Sequence, residues 1–147
     1  MILALCAENT VISIGGYEKG IRQFALSLAA DTHLTEDQYT AAIGQMLGFY
    51  GPTGRKWEGG ILSSVVPKLT EVLRGALSRL CKGKVYLVST RCPHLGCELQ
   101  WNPEEKTWDC PCHGSRFDYR GRLLDTPARK GNVNRRAARA NGIVRNK

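Results

Sequence analysis

No apolar run in this sequence approaches the ~18 residues that a helix needs to cross a bilayer, so no membrane-spanning helix is expected. The apolar start Ile2-Leu3-Ala4-Leu5-Cys6-Ala7 is too short for a secretory signal and has no charged segment before it. There is no G-x-G-x-x-G, because the glycines of Gly15-Gly16-Tyr17-Glu18-Lys19-Gly20 are wrongly spaced, which excludes dinucleotide binding by that device. Histidine is scarce, with three in 147 residues. Acidic side chains stop at Asp125. Beyond it Arg129, Lys130, Arg135, Arg136, Arg139, Arg145 and Lys147 carry +7 of the formal net charge of +8, which leaves the rest of the chain near neutral. A basic end rich in Asn, Gly and Ala reads as disordered, with contact to an acidic partner or nucleic acid as the functional alternative. No aromatic residue interleaves with those cations, so base stacking has no platform and nucleic acid is not an expected partner. A soluble, cytoplasmic protein is expected.

What the chain does hold is sulfur and imidazole in a pattern. Cys92-Pro93-His94 and Cys110-Pro111-Cys112-His113 are separated by fifteen residues, counted from His94 to Cys110, and read C-x-H-x15-C-x2-H. Two thiolates and two imidazoles can close a tetrahedral zinc site or share a 2Fe–2S cluster. Zinc modules usually bring their first pair as two cysteines on one knuckle. Here each pair mixes one Cys with one His, and each is followed by a glycine, Gly96 or Gly114, that permits a tight turn. Such loops suit a cluster whose two irons differ in their ligands. A zinc-stabilised interaction module using the same four residues is the competing reading from another class. A secreted disulfide scaffold is disfavoured by the missing signal segment.

The stretch RCPHLGCELQWNPEEKTWDCPCHGSRF, residues 91 to 117, resembles the Rieske iron–sulfur family, with CPHLGC as first cluster box and CPCHGS as second. The resemblance implies a small all-β module with one 2Fe–2S cluster, in which Cys92 and Cys110 bind one iron and His94 and His113 the other. It also implies a disulfide between Cys97 and Cys112, the mark of the family's disulfide-bearing branch. Ser115 falls where the family hydrogen-bonds a bridging sulfide. Phe117 stands where a Tyr would bond a ligating sulfur, so one such bond is expected rather than two. The potential should then lie in the middle or lower part of the Rieske window of about −150 to +300 mV. Thr126-Pro127-Ala128 matches the family's proline loop, the third wall over the cluster. Neutral imidazoles in place of two thiolates remove negative charge from the ligand set and make an added electron less costly.

The wider run LGCELQWNPEEKTWDCPCHGSRFDYRGRLLDTPA resembles the carboxy-terminal Rieske module of bacterial FAD-dependent oxidoreductases, over roughly residues 84 to 128. This implies one-electron transfer between a flavoprotein donor or fused FAD domain and a further acceptor, with no complete catalytic site in this chain. A Rieske subunit of a quinol-oxidising cytochrome bc-type complex is the alternative; Phe117, the lack of an apparent anchor and of further base strands stand against it. A ring-hydroxylating terminal component needs two more histidines for a mononuclear iron, and only His33 remains. Ferredoxins of that system generally lack the Cys97/Cys112 pair.

The expected fold class is α+β, the β module being preceded by a mainly helical segment. Residues 1–60 are expected as a mixed or helical part, 61–83 as a helical connector, 84–128 as the Rieske domain and 129–147 as the basic tail. Within the first part, a strand is expected to turn at Gly15-Gly16. A helix over Tyr17–Ala30 is expected from Ile21, Phe24, Ala25 and Leu28. A second helix should start at Thr35, where Thr35-Glu36-Asp37-Gln38 fits a capping box, and stop at Gly48. Leu69, Val72, Leu73, Ala76, Leu77 and Leu80 form a helical stripe, with Ser64 as candidate N-cap. Cys6 and Cys81 read as small apolar residues, and Trp101 and Trp108 as packing on a hairpin beside the cluster.

Overall fold

Strand β1 (Ile2–Ala7) alternates cleanly, burying Leu3, Leu5 and Ala7. Around it the structure, a computed structural model that describes residues 1–82, 85–102 and 104–132, builds the first of two units, which meet at Tyr86/Leu87. Strands β2 (Val11–Glu18) and β3 (Ile21–Ala29) follow as antiparallel neighbours, and β4 (Gly59–Ser64) lies parallel to β1 on its other side. With β5 (Val85–Leu87) at the far edge, the order is β3-β2-β1-β4-β5. Helices α1 (Glu36–Tyr50) and α2 (Pro67–Leu80) complete the unit, and Ile43, Leu69, Leu73 and Leu77 join Leu3, Leu5, Ile12, Ile14 and Leu62 in its buried core. The α+β class stands.

The helix expected over Tyr17–Ala30 is corrected to strand. Lys19 and Gly20, both at positive φ (50° and 83°), form a two-residue turn between the paired residues Glu18 and Ile21. Past the turn Phe24, Leu26 and Leu28 alternate toward one face, while Ile21 and Ala25 of the supposed helical stripe are exposed. Gly15 and Gly16 are not a turn either; they lie inside β2, and a Cβ on Gly16 would sit 2.1 Å from the ring of its cross-strand partner Phe24. Glycine there makes room for an aromatic ring.

The capping box on α1 forms as the sequence suggested, with Thr35 Oγ1 accepting from Gln38 N and Gln38 Oε1 accepting from Thr35 N. The helix runs through Gly48 and ends at Gly51, whose N–H donates to Leu47 O at 2.8 Å. On α2 the N-cap position is Val66 rather than Ser64. Pro67 takes the first helical position, where a missing N–H costs nothing, and Ser64 Oγ accepts from Val66 N instead. Within the segment expected as a helical connector, β4 pairs with β1, and the stripe of α2 buries Leu69, Leu73, Ala76 and Leu77. Cys81 is buried, and burial pushes its thiol up to about 12, so it remains a neutral packing group. His33 is exposed beside Asp31.

In the second unit, β6 (Gln100–Asn102), β7 (Thr107–Asp109), β8 (Arg116–Asp118) and β9 (Leu123–Asp125) form an antiparallel sheet in that order. Trp101, Trp108 and Phe117 lie in direct cross-strand register. Asn102 Oδ1 accepts from the amides of Glu104 and Glu105, and Asp118 Oδ1 from those of Arg120 and Arg122, so the β6–β7 and β8–β9 turns are each closed by a side chain at the start. The fold continues past Ala128. Asn132 is buried, exchanges backbone hydrogen bonds with Ser89 and Gly121, and donates from Nδ2 to Ser89 O at 3.0 Å. The rest of the basic tail, from residue 133, lies outside the described residues.

Asn132 is brought to Ser89 by a close backbone approach at Gly131, where an added Cβ would lie 2.3 Å from Gly121 O. Backbone facing backbone has no flexible end to yield. Gly131→Ala should therefore lower the stability of the second unit by about 1–3 kcal/mol, seen as earlier loss of near-ultraviolet dichroism on heating, with the helical signal of α1 and α2 unchanged.

Candidate metal centre

The two boxes fold into loops with one bonding scheme. In the first, Gly96 N donates to Cys92 O at 2.9 Å and Cys92 N to Cys97 O at 2.8 Å. In the second, Gly114 N donates to Cys110 O at 3.0 Å and Cys110 N to Ser115 O at 2.8 Å. Each loop thus starts at a cysteine and reverses at a glycine with φ of +79° or +82°. Nothing stands within 4 Å of a Cβ built on either glycine, so conformation rather than space requires the residue.

The loops sort their donors by depth. Cys92 and Cys110 are buried at 2% and 3% exposure, in a core with Leu99, Phe117 and Ala128. His94 and His113 are exposed, with ring centroids 5.0 Å apart and planes nearly perpendicular. Burial pushes the Cys110 thiol up, but hydrogen bonds from the His113 and Cys112 amides and from the Cys92 side chain outweigh it, and the net shift is downward. Two sulfurs inside and two imidazoles outside suit a diiron unit with unlike ends.

A disulfide joins Cys97 to Cys112, tying one loop to the other across 6.5 Å between Cα atoms. The sulfurs of Cys97, Cys110 and Cys112 lie within 4.8 Å of one another. That trio is not itself a metal site, because the two disulfide sulfurs have no thiolate to offer; Cys110 alone of the three can ligate. Thr126-Pro127-Ala128 forms a third wall: Ala128 N donates to the fully buried Ser115 Oγ at 2.9 Å. Trp108 and Leu123 pack on the core around the buried thiols.

Some supporting contacts carried no sequence signal. The Asn132–Ser89 clasp, three residues before Cys92, is a contact over 43 residues of chain. Arg116 pairs with Glu105, Asp109 and Asp125, and holds the β7–β8 hairpin just before Cys110. Its acidic partners come from three separate places in the chain, so no local pattern points to them.

A family model described as the Rieske [2Fe-2S] domain matches residues 64–137, just over half of the chain. The chain belongs to the Rieske family. Membership implies one 2Fe–2S cluster and electron transfer, and the buried thiols and exposed imidazoles fit that group. The Bacillus subtilis protein YhfW, named as a Rieske 2Fe-2S iron-sulfur protein, is 58% identical over 48 residues, 33% of this chain and 9% of YhfW. The cytochrome b6-f complex iron-sulfur subunit 2 of Trichormus variabilis is 44% identical over 43 residues, 29% of this chain and 24% of that subunit. The chain therefore spans a quarter or less of these relatives. The solved cyanobacterial plasma membrane Rieske protein PetC3 from Synechocystis aligns at 36% identity over 31% of this chain and 48% of its own, with a TM-score of 0.30. Among the described residues of the Rieske chain, no helix is long and apolar enough to cross a membrane.

Proposed function

We propose that the chain moves single electrons through a 2Fe–2S cluster held by Cys92 and Cys110 at its inner iron and by His94 and His113 at its outer one. We further infer that it works as a module of, or partner to, an FAD-dependent oxidoreductase, in the disulfide-bearing branch of the family. The observation that carries the cluster assignment is the sorting of donors by depth. Buried sulfurs shield one end from water, and exposed imidazoles present the other end to whatever exchanges electrons with it.

When bound, the cluster supplies a one-electron couple. The remaining work falls to the chain. Ser115 Oγ accepts the Ala128 amide, which leaves its own proton to donate toward a sulfide. Phe117 is fully buried and has no hydrogen to give, so the sulfur side receives one side-chain donor rather than two. Bound through Nδ1, each imidazole keeps Nε2 for a proton at the exposed end. The flavoprotein partner is supported by the likeness of residues 84 to 128 to modules fused to such enzymes. The quinol-oxidising alternative is favoured by one observation, the 44% identity to cytochrome b6-f iron-sulfur subunits.

Protein made anaerobically with ample iron should be coloured and, once reduced with dithionite, give a Rieske-type paramagnetic resonance spectrum. A folded, colourless, zinc-bearing product would sink the assignment. Redox titration should place the potential in the middle or lower part of the window of about −150 to +300 mV. Phe117→Tyr should raise it toward the upper half by supplying a second hydrogen bond to sulfur. Reduced flavoprotein should reduce the cluster readily and quinol poorly; the reverse order would move the protein to the bc-type reading.

A further inference from the structure

The three walls around the donor set differ from the rest of the fold in charge. Residues 91–97, 110–115 and 126–132 include Arg91, Arg129 and Lys130 and no carboxylate. All three cations are exposed, and none takes part in an ion pair among the described residues. Arg116, by contrast, is spent on three carboxylates. Glu98 flanks the first wall, bridged to Arg91 through the backbone. Asp109 flanks the second and is already bonded to Thr107, Asn102 and Arg116, and Asp125 flanks the third and is paired with Arg116.

Position matters more than number. Arg91 is bonded directly into the first loop, since it precedes Cys92. Arg129 and Lys130 follow Ala128, whose amide holds Ser115 of the second loop. The chain is then clasped at Asn132 to Ser89, again at the entrance to the first loop.

We propose that this basic collar is the docking surface for an acidic redox protein, which meets the cluster at the His94/His113 end. The inference rests on the electron-transfer reading and names the partner's surface chemistry. Like-signed charges around a small exposed redox centre raise the local concentration of oppositely charged partners and orient them, and they raise association rates by one to three orders of magnitude. A Debye length of about 10 Å at 0.1 M salt confines the effect to the collar's own surroundings. The chemistry is one electron passing from the reduced cluster to the docked acceptor, with no bond made or broken.

The test uses the full holoprotein and two small oxidants of opposite charge, ferricyanide and tris(phenanthroline)cobalt(III). Stopped-flow oxidation by ferricyanide should be about tenfold faster at low than at physiological ionic strength, and the cobalt complex should show the opposite slope. In Arg91→Glu/Arg129→Glu/Lys130→Glu the ferricyanide rate should fall about tenfold, with an unchanged visible spectrum. Should that variant lose its cluster, Arg91→Gln/Arg129→Gln/Lys130→Gln, which only neutralises the three charges, should still slow ferricyanide oxidation several-fold, and an unchanged rate there would overturn the proposal. Rates independent of salt with both oxidants would overturn the proposal. So would sedimentation of the holoprotein with phosphatidylglycerol vesicles, or capture by duplex DNA, that shuts off ferricyanide oxidation; either would assign the collar to lipid or nucleic acid. Failure of the underlying reading looks different, for then neither oxidant finds a reduced cluster to oxidise.

Discussion

Chelating the iron should abolish the fold of residues 87–132 and leave residues 1–82 intact. The buried core of the second unit is Cys92, Leu99, Cys110, Phe117 and Ala128, and two of these five are the thiols assigned to iron. Its four strands have three residues each. Sheets of that size bury too little apolar surface to stand alone, so the free energy of metal binding becomes folding free energy. In the first unit β1 to β4 run six to nine residues, and two helices complete a conventional core. Both helices lie in that unit, so the helical far-ultraviolet signal should persist after chelation. Near-ultraviolet dichroism from Trp101 and Trp108 should be lost, and the amides of Cys92, Gly96, Cys110 and Gly114 should exchange freely. Metal-free protein with those four amides still protected would show that the sheet and disulfide suffice.

The same division explains what could be read from the sequence. The cluster loops are local: each places its donors and its turn glycine within six residues, and each closes on itself by two backbone hydrogen bonds. Residue type and spacing therefore carry the geometry. The capping box at Thr35 and the buried stripe of α2 are local in the same way. β3 is not. Phe24, Ala25 and Leu28 satisfy a helical period as well as Phe24, Leu26 and Leu28 satisfy an alternating one, and a nine-residue window does not separate the two. What decides is the pairing with β2 and the Lys19-Gly20 turn, in which lysine takes a positive φ that residue type does not advertise. The clasp at Asn132 and the ring of acids on Arg116 depend on residues far apart in the chain, and only the folded backbone brings them together.

Opening the Cys97–Cys112 bridge should cost the second unit about 3 kcal/mol, the chain-entropy value for a loop of this size, since the two cysteines are 15 residues apart. At the usual 0.05–0.15 kcal/mol per residue, a unit of this size has roughly 2–7 kcal/mol in total. The loss is thus comparable with the whole stability of the domain. The bridge also connects the two ligand loops directly, Cys112 lying between Cys110 and His113 while Cys97 closes the turn that carries Cys92 and His94. Without it the loops are joined only through the cluster and through the sheet beneath. Cys97→Ser/Cys112→Ser should accordingly take up cluster in anaerobic reconstitution but bleach at much lower temperature, with the helical signal of the first unit melting where it did before. Both cysteines must be replaced, because one left alone would stand within 4.8 Å of the Cys110 sulfur and could pair with it. A disulfide reductant on the unaltered protein should reproduce the early bleaching, since the disulfide is partly exposed: Cys112 is open to solvent and Cys97 half-buried. A double variant that holds its colour to the same temperature as the parent would mean that cluster and sheet alone set the stability, and that the bridge merely records how close the loops lie.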